Sequence, residues 1–370
     1  MMGAEVDFLD WMQLTVPALF STLDGGHRYL KGFADAALKH GVSHQLCMSM
    51  PSQVMDSLLL PAVTNARASP DNTPTNENRW LIAYTSLMMW PLDVQPFADN
   101  VWSMSHEPAE PYGPGVFRHN VELQMLITTL TAGPVGIADE IGFTNATLVL
   151  QTCTANGTLL QPDKPSTPID AMFSPSAPFR PPGEISQTHT RLTSVGGGGD
   201  MVWRYVLAVD TDYPLHQDDL WPADARPRDS LAVSWHTRHH CGEEALSRTG
   251  QSKCAERWNA SSAYQLQTSP MVALEHGFDL LMSAPIMWSS SGRGISLLGE
   301  LSKIVAVSSA RFGQELALQH DGTLALKLRG APREQVELTY AGFEHKGAAA
   351  VYHRQLVALD DHGLGDASVG

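Results

Sequence analysis

The stretch Ala62-Val63-Thr64-Asn65-Ala66-Arg67-Ala68-Ser69-Pro70-Asp71 decides how the first half of this chain is read. Its first seven residues form a strand-like run that stops at a proline turn, with Arg67 and Asp71 at its end. Two comparable runs precede it, Ala4 to Leu9 and His44 to Ser49. Between them Gly25-Gly26 opens a helical segment, His27 to His40, in which Tyr29, Leu30, Phe33, Ala37 and Leu38 keep helical spacing until Gly41 ends it. A second helix, carrying Met55, Leu58, Leu59 and Leu60, leads from Pro51 into the run at 62.

Downstream the alternation continues. A helix over Glu77 to Met89 precedes a strand over Leu92 to Phe97. A loop rich in Pro leads to a helix over Arg118 to Thr131, Gly133-Pro134 turns into a strand over Val135 to Ala138, and a last helix begins near Thr144. Five strands alternating with helices predict an α/β fold with a parallel sheet and right-handed crossovers. In a (β/α)8 barrel the C-terminal ends of the strands share one pocket. One strand-plus-helix unit takes roughly 30 residues, so Asp7 and Asp71, 64 positions apart, fall at the ends of strands two apart. A retaining glycosidase needs such a pair, one carboxylate as nucleophile and one carboxylic acid facing it across the scissile bond. The competing reading is that each aspartate caps a helix or a loop.

The local strings favour the first reading. Glu5-Val6-Asp7-Phe8-Leu9-Asp10-Trp11 and Arg67-Ala68-Ser69-Pro70-Asp71 resemble the fourth-strand and sixth-strand motifs of the α-galactosidase and raffinose synthase group, glycoside hydrolase family 36 and its clan. The similarity continues through Gln95-Pro96, Asp99-Asn100 and Gly133-Pro134-Val135-Gly136-Ile137-Ala138-Asp139, and ends near Pro165 to Phe173. It implies a partial TIM barrel (strands four to eight) over residues 1–173. It also implies Asp7 as nucleophile, Asp71 as acid/base and Arg67 at a sugar hydroxyl, with no metal or cofactor. Asp139 and Asp99 are candidate acceptors for sugar hydroxyls, and Trp11 and Trp102 candidate platforms for a sugar ring.

Two positions depart from the family pattern. Glu5 stands where a lysine usually binds sugar hydroxyls, so this position accepts hydrogen bonds and adds a like charge beside Asp7; specificity for galactose does not follow. Pro70 replaces an acidic residue found in some members. The chain also starts almost at the nucleophile strand, which implies that strands one to three are missing from it and that the fragment itself is less active than a full-length parent.

Composition sets outer bounds. The 370 residues are 43% hydrophobic, enough for a large core and two domains. A net charge of -15 repels phosphate backbones and anionic membranes but leaves a neutral oligosaccharide unaffected. No run reaches the roughly 18 apolar residues of a membrane span, and no basic-then-apolar leader is visible at the N-terminus. Ser174 to Pro182 has a linker composition within a boundary placed at 174–186. Residues 187–370 then predict an all-β antiparallel sandwich, with runs at Trp203 to Val209, Ser230 to Trp235, Ile304 to Ser309, Leu316 to Gln319, Leu324 to Leu328, Val336 to Tyr340 and Ala349 to Leu356.

Three glycosylation triplets, at Asn145, Asn156 and Asn259, matter only on a secretory route, and Cys241 and Cys254 bracket a polar loop that a disulfide would close there. The histidines within Trp235 to Cys241 match no standard zinc spacing. The expected activity is hydrolysis or transfer of α-linked sugars by double displacement. The alternative is a degenerate protein that binds carbohydrate without turning it over.

Overall fold

The computed structural model describes residues 3–72, 82–107, 117–174, 183–195, 199–221, 229–241, 254–266, 268 and 276–370. The expected helix start at Glu77, the prolines 108, 111 and 114, and the linker core 175–182 lie outside these residues. The content is mixed α/β with several sheets, in two compact units: Met1–Thr144 with Lys164–Thr167, and Asn145–Asp163 with Pro168–Gly370.

The first unit holds four parallel strands in chain order, β1 (Gly3–Val6), β2 (Ser43–Leu46), β3 (Val63–Arg67) and β4 (Gln95–Phe97). Helices α1 (Leu9–Thr15), α2 (Pro17–Phe20) and α3 (Gly25–Lys39) connect β1 to β2. Helix α4 (Pro51–Asp56) connects β2 to β3, α5 (Ile82–Met89) precedes β4, and α6 (Val121–Leu130) follows it. Helix α3 buries Leu30, Ala34 and Ala37, three residues on one stripe at spacings of four and three.

Register gives the sheet two chemically distinct faces, because paired residues on neighbouring strands point the same way and successive residues alternate. Glu5 lies opposite Gln45, Gln45 opposite Asn65, and Asn65 opposite Gln95, a polar row across all four strands. Asn65 Nδ2 donates to Gln45 Oε1 at 2.6 Å within that row. The opposite face carries Val6, Leu46, Ala66 and Pro96, of which Leu46 and Ala66 are wholly buried.

The fifth expected strand, Val135 to Ala138, is reduced to a single parallel bridge, Ile137 with Val101. Val101 N–H donates to Gly136 O and Ala138 N–H to Val101 O, each at 2.9 Å. Two glycines permit this approach: a Cβ on Gly133 would lie 1.9 Å from Pro96 O, and one on Gly136 1.9 Å from Asn100 Oδ1.

The second unit is dominated by β-structure. Its larger sheet runs in the order Glu256–Trp258, Ser230–Ser234, Phe278–Pro285, Asp200–Val209, Glu184–Ser194, Glu315–Leu318, Leu324–Arg329, Leu364–Val369. Pairing along it is antiparallel except between Glu315–Leu318 and Glu184–Ser194, which run parallel over two registered pairs. A second sheet orders Met287–Trp288, Gly294–Gly299, Gln335–Phe343 and Val351–Ala358. Side chains of the first sheet reach backbone of this region: Trp203 Nε1 donates to Leu297 O at 2.7 Å, and Tyr205 Oη to Val307 O at 2.9 Å.

Other sequence expectations differ from the structure too: the expected strand 4–9 ends at Val6 with Leu9 opening a helix, and Leu92 of the expected strand 92–97 lies in a helical turn before Gln95–Phe97. The unit boundary falls at 144/145 rather than 173, since Lys303 Nζ donates to the carbonyls of Leu150 and Cys153 and ties this segment to the second unit. The strand Glu184–Ser194 begins inside the expected linker 174–186. Ile304 to Ser309 is buried but is no strand. Its backbone is satisfied elsewhere, Val307 by the Tyr205 hydroxyl, Ala306 by Glu300 N–H, and Ile304 by Gln151 O.

Candidate active site

Asp7, Cys47 and Arg67 stand at the C-terminal ends of β1, β2 and β3, and the ladder carries on past the strand ends: Cys47 N–H donates to Val6 O, and Ala68 N–H to Phe97 O. Just beyond the first two strands the backbone enters the left-handed region, at Phe8 (φ 57°) and Met48 (φ 48°). For side chains of this size that conformation is costly, and such strain concentrates at functional sites. Phe8 N–H donates to Asp7 Oδ1 at 2.7 Å and sets the orientation of that carboxylate.

Donor atoms of Glu5, Asp7 and Cys47 all lie within 4.8 Å of one another. Burial, and then hydrogen bonds to the Glu5 and Asp7 carboxylates, push the Cys47 thiol well above its ordinary value against the opposing charge of Arg67. The thiol therefore stays protonated and donates to the acids. A divalent cation shared by these three would have to displace that proton, since it is the thiolate that ligates. Cys47 is the functional candidate that sequence reasoning missed; its place in an apolar run concealed that it faces the polar side of the sheet.

Arg67 forms the second half of the site. Its side chain is only 8% exposed, and Nη1 lies 2.8 Å from Asp71 Oδ1 and 3.6 Å from Asp99 Oδ2. Its buried Nε finds no acceptor among the described residues, a donor left over for an incoming oxygen. Asp71 itself is 55% exposed. Asp99 accepts the N–H of Asn72 and that of Asn100, each at 2.8 Å, and Asn72 Nδ2 donates to Asn100 O and Gln124 Oε1. These bonds lock the turn bearing Asp71 to the end of β4. Because Val6 pairs with Leu46 and Leu46 with Ala66, Asp7, Cys47 and Arg67 follow at the ends of adjacent strands and the two halves are neighbours.

The sequence matches no protein-family model, and no curated protein matches it.

Trp11 projects from α1, four residues after Asp7, and is 65% exposed. Trp102 is buried, with the Arg118 guanidinium carbon 3.9 Å from its ring centroid. Asp139 accepts from Ser103, from its N–H at 2.7 Å and from its hydroxyl, and also engages the Glu107 carboxyl. Beside them Glu107, which the sequence did not single out, is almost completely buried. Burial pushes its carboxyl up against the opposing Glu140 N–H and the Arg118 charge. The contacts of Trp102, Asp139 and Glu107 with Ser103, Glu140 and Arg118 describe a cluster that holds a loop in place.

In the second unit the histidine-rich segment is occupied internally. His236 Nε2 lies 2.7 Å from Phe278 O, and Arg238 stacks over Trp235. Among the described residues it contributes to no group of three metal-ligating side chains.

Proposed function

We propose that the first unit is the catalytic part of a retaining α-glycosidase resembling α-galactosidases and raffinose synthases, built on part of a (β/α)8 barrel. The observation that carries this reading is the placement of Asp7 and the Arg67–Asp71 ion pair at the same, C-terminal, edge of a parallel sheet. In such sheets that edge is where reacting groups gather.

Asp7 attacks the anomeric carbon of an α-linked sugar and forms a glycosyl ester, while Asp71 gives its proton to the departing oxygen. Arg67 stabilises the negative charge that Asp71 then acquires, and Asp71 takes a proton from the water or sugar hydroxyl that cleaves the ester. The free Nε of Arg67 is available to a hydroxyl of the bound ring. Glu5 and Cys47 set the hydrogen-bonding character beside the nucleophile, where an acceptor and a weak donor replace an ammonium group. Trp11 offers an exposed ring to the substrate.

Asp7→Asn is expected to lower turnover of aryl α-galactosides and other aryl α-glycosides about a thousandfold or more, or ~4 kcal/mol in barrier. Undiminished activity refutes the assignment. A second reading, sugar binding without turnover, is favoured by Glu5 alone. Calorimetric titration with galactose, raffinose and glucose separates them, since binding to a wild-type chain that turns over no glycoside supports the second.

A further inference from the structure

The structure sorts the three Asn-x-Ser/Thr triplets by what their asparagine side chains are doing. Asn156 is exposed on a turn closed by Thr154 N–H to Thr158 O at 2.9 Å, with Gly157 at φ 83°. Its Oδ1 accepts the hydroxyls of Thr154 and of Thr158, the latter at 3.2 Å. Asn259 is likewise exposed, and its Oδ1 accepts the Ser261 hydroxyl at 2.6 Å and the Ser261 N–H at 3.0 Å. In both triplets the side-chain amide is engaged only through Oδ1 among the described residues. Nδ2, the atom that carries an N-linked sugar, belongs in both to an exposed residue.

Asn145 is different. Its Oδ1 accepts Leu148 N–H at 3.2 Å and caps the helix Ala146–Val149, and the triplet's threonine, Thr147, is inside that helix. What sets it apart is that the residue is only partly exposed and that its threonine is held in a helix rather than a turn.

A separate chemistry points to the same cellular route. Cys241 and Cys254, both fully buried in the second unit, are joined as a disulfide across 13 residues of sequence. Disulfides persist where the environment is oxidising, which is also where N-linked sugars are attached. We infer that this chain matures in an oxidising secretory compartment, where Asn156 and Asn259 acquire N-linked oligosaccharides, Asn145 does not, and Cys241 is oxidised onto Cys254.

The glycan donor is an oligosaccharide on a polyprenyl diphosphate. The asparagine Nδ2 forms a bond to its anomeric carbon and gives up a proton, the bond from that carbon to the phosphate oxygen breaks, and polyprenyl diphosphate leaves. In the second step the two thiols lose two electrons and two protons to the disulfide of a dithiol oxidase, which becomes reduced.

The test is peptide mass spectrometry on the protein purified from its natural source, alkylated without reduction and then treated with an N-glycanase in oxygen-18 water. The expected result is labelled aspartate at positions 156 and 259, intact asparagine at 145, and unalkylated Cys241 and Cys254 beside alkylated Cys47 and Cys153. In a secreted recombinant chain, Asn156→Gln and Asn259→Gln should each remove the mass of one glycan. Unmodified asparagine at both positions, a glycan at Asn145, or alkylated Cys241 and Cys254 each overturns the inference.

Discussion

The two units differ in the size of their strands and of the rings they bury. In the first, strands of three to five residues support a short sheet, and Trp11, Leu14, Phe20, Leu23, Leu58 and Leu59 all stand more than half exposed. In the second, strands run to 11 residues, and Trp203, Tyr205 and Trp258 on strands and Phe312 on a short helix are almost completely buried. A strand of four residues offers only two side chains to each face, too few to cover the helices that flank it. The comparison teaches that the chemistry proposed here sits in the unit with the shorter strands and with left-handed residues just after two of them, while the largest buried rings serve a region to which no reaction is assigned. Functional sites commonly carry such strain, and the surrounding structure must hold it.

The contrast breaks most visibly at Trp203. Trp203→Ala removes the largest wholly buried ring and orphans Leu297 O, and should cost the second unit about 3–5 kcal/mol. Urea unfolding followed separately in each unit by hydrogen exchange checks it; a cost below about 1 kcal/mol would mean that the large buried rings do not hold this core.

A smaller effect is expected at Glu334, where Arg311 Nη2 donates at 2.7 Å and Ala331 N–H at 2.7 Å. Burial opposes ionisation of Glu334, but the bonds from Arg311 and Ala331 outweigh it and hold the carboxyl below the usual carboxylate range. A carboxyl depressed on folding binds fewer protons in the folded state, so its contribution is present above the unfolded carboxylate range and is lost as pH falls through the folded value. Glu334→Gln should therefore cost about 2 kcal/mol at neutral pH, with the gap to wild type closing as the solution is acidified below pH ~4. Thermal melts across pH decide this, and a gap that widens on acidification contradicts the sign.

The smallest effect sharpens the comparison from the other side. Trp11→Ala should change stability by less than about 0.5 kcal/mol, because the ring is mostly in water. If the ring faces substrate, KM for an aryl α-glycoside rises several-fold while kcat holds; an unchanged KM assigns the ring no role in binding.

Much of the first unit was legible in local patterns. The three runs at 4, 44 and 62 begin near the observed strands because β-prone residues bounded by glycine and proline have few alternatives, and helix α3 follows its stripe of apolar residues. The second unit was less legible. Phe278–Pro285 and Gly294–Gly299, buried on both faces, show no alternation by which to recognise a strand, and Glu184–Ser194 is a polar string whose strand character comes from ten registered pairs with Asp200–Val209. Conversely Ile304 to Val307 carried the composition of a strand and became a buried turn, since the Tyr205 hydroxyl answers its backbone.

At the candidate site the division is similar. Local sequence alone determined the identities and spacing of Asp7, Arg67 and Asp71, and with them the strand ends on which they stand. Only the tertiary structure decided that Cys47 joins Glu5 and Asp7, that Arg67 holds Asp71 and leaves Nε over, and that Trp102 lies beneath Arg118. The reason is physical: strand and turn propensities act over a few neighbours, whereas the meeting of positions 5, 47 and 67 depends on inter-strand register, which no stretch of chain specifies by itself.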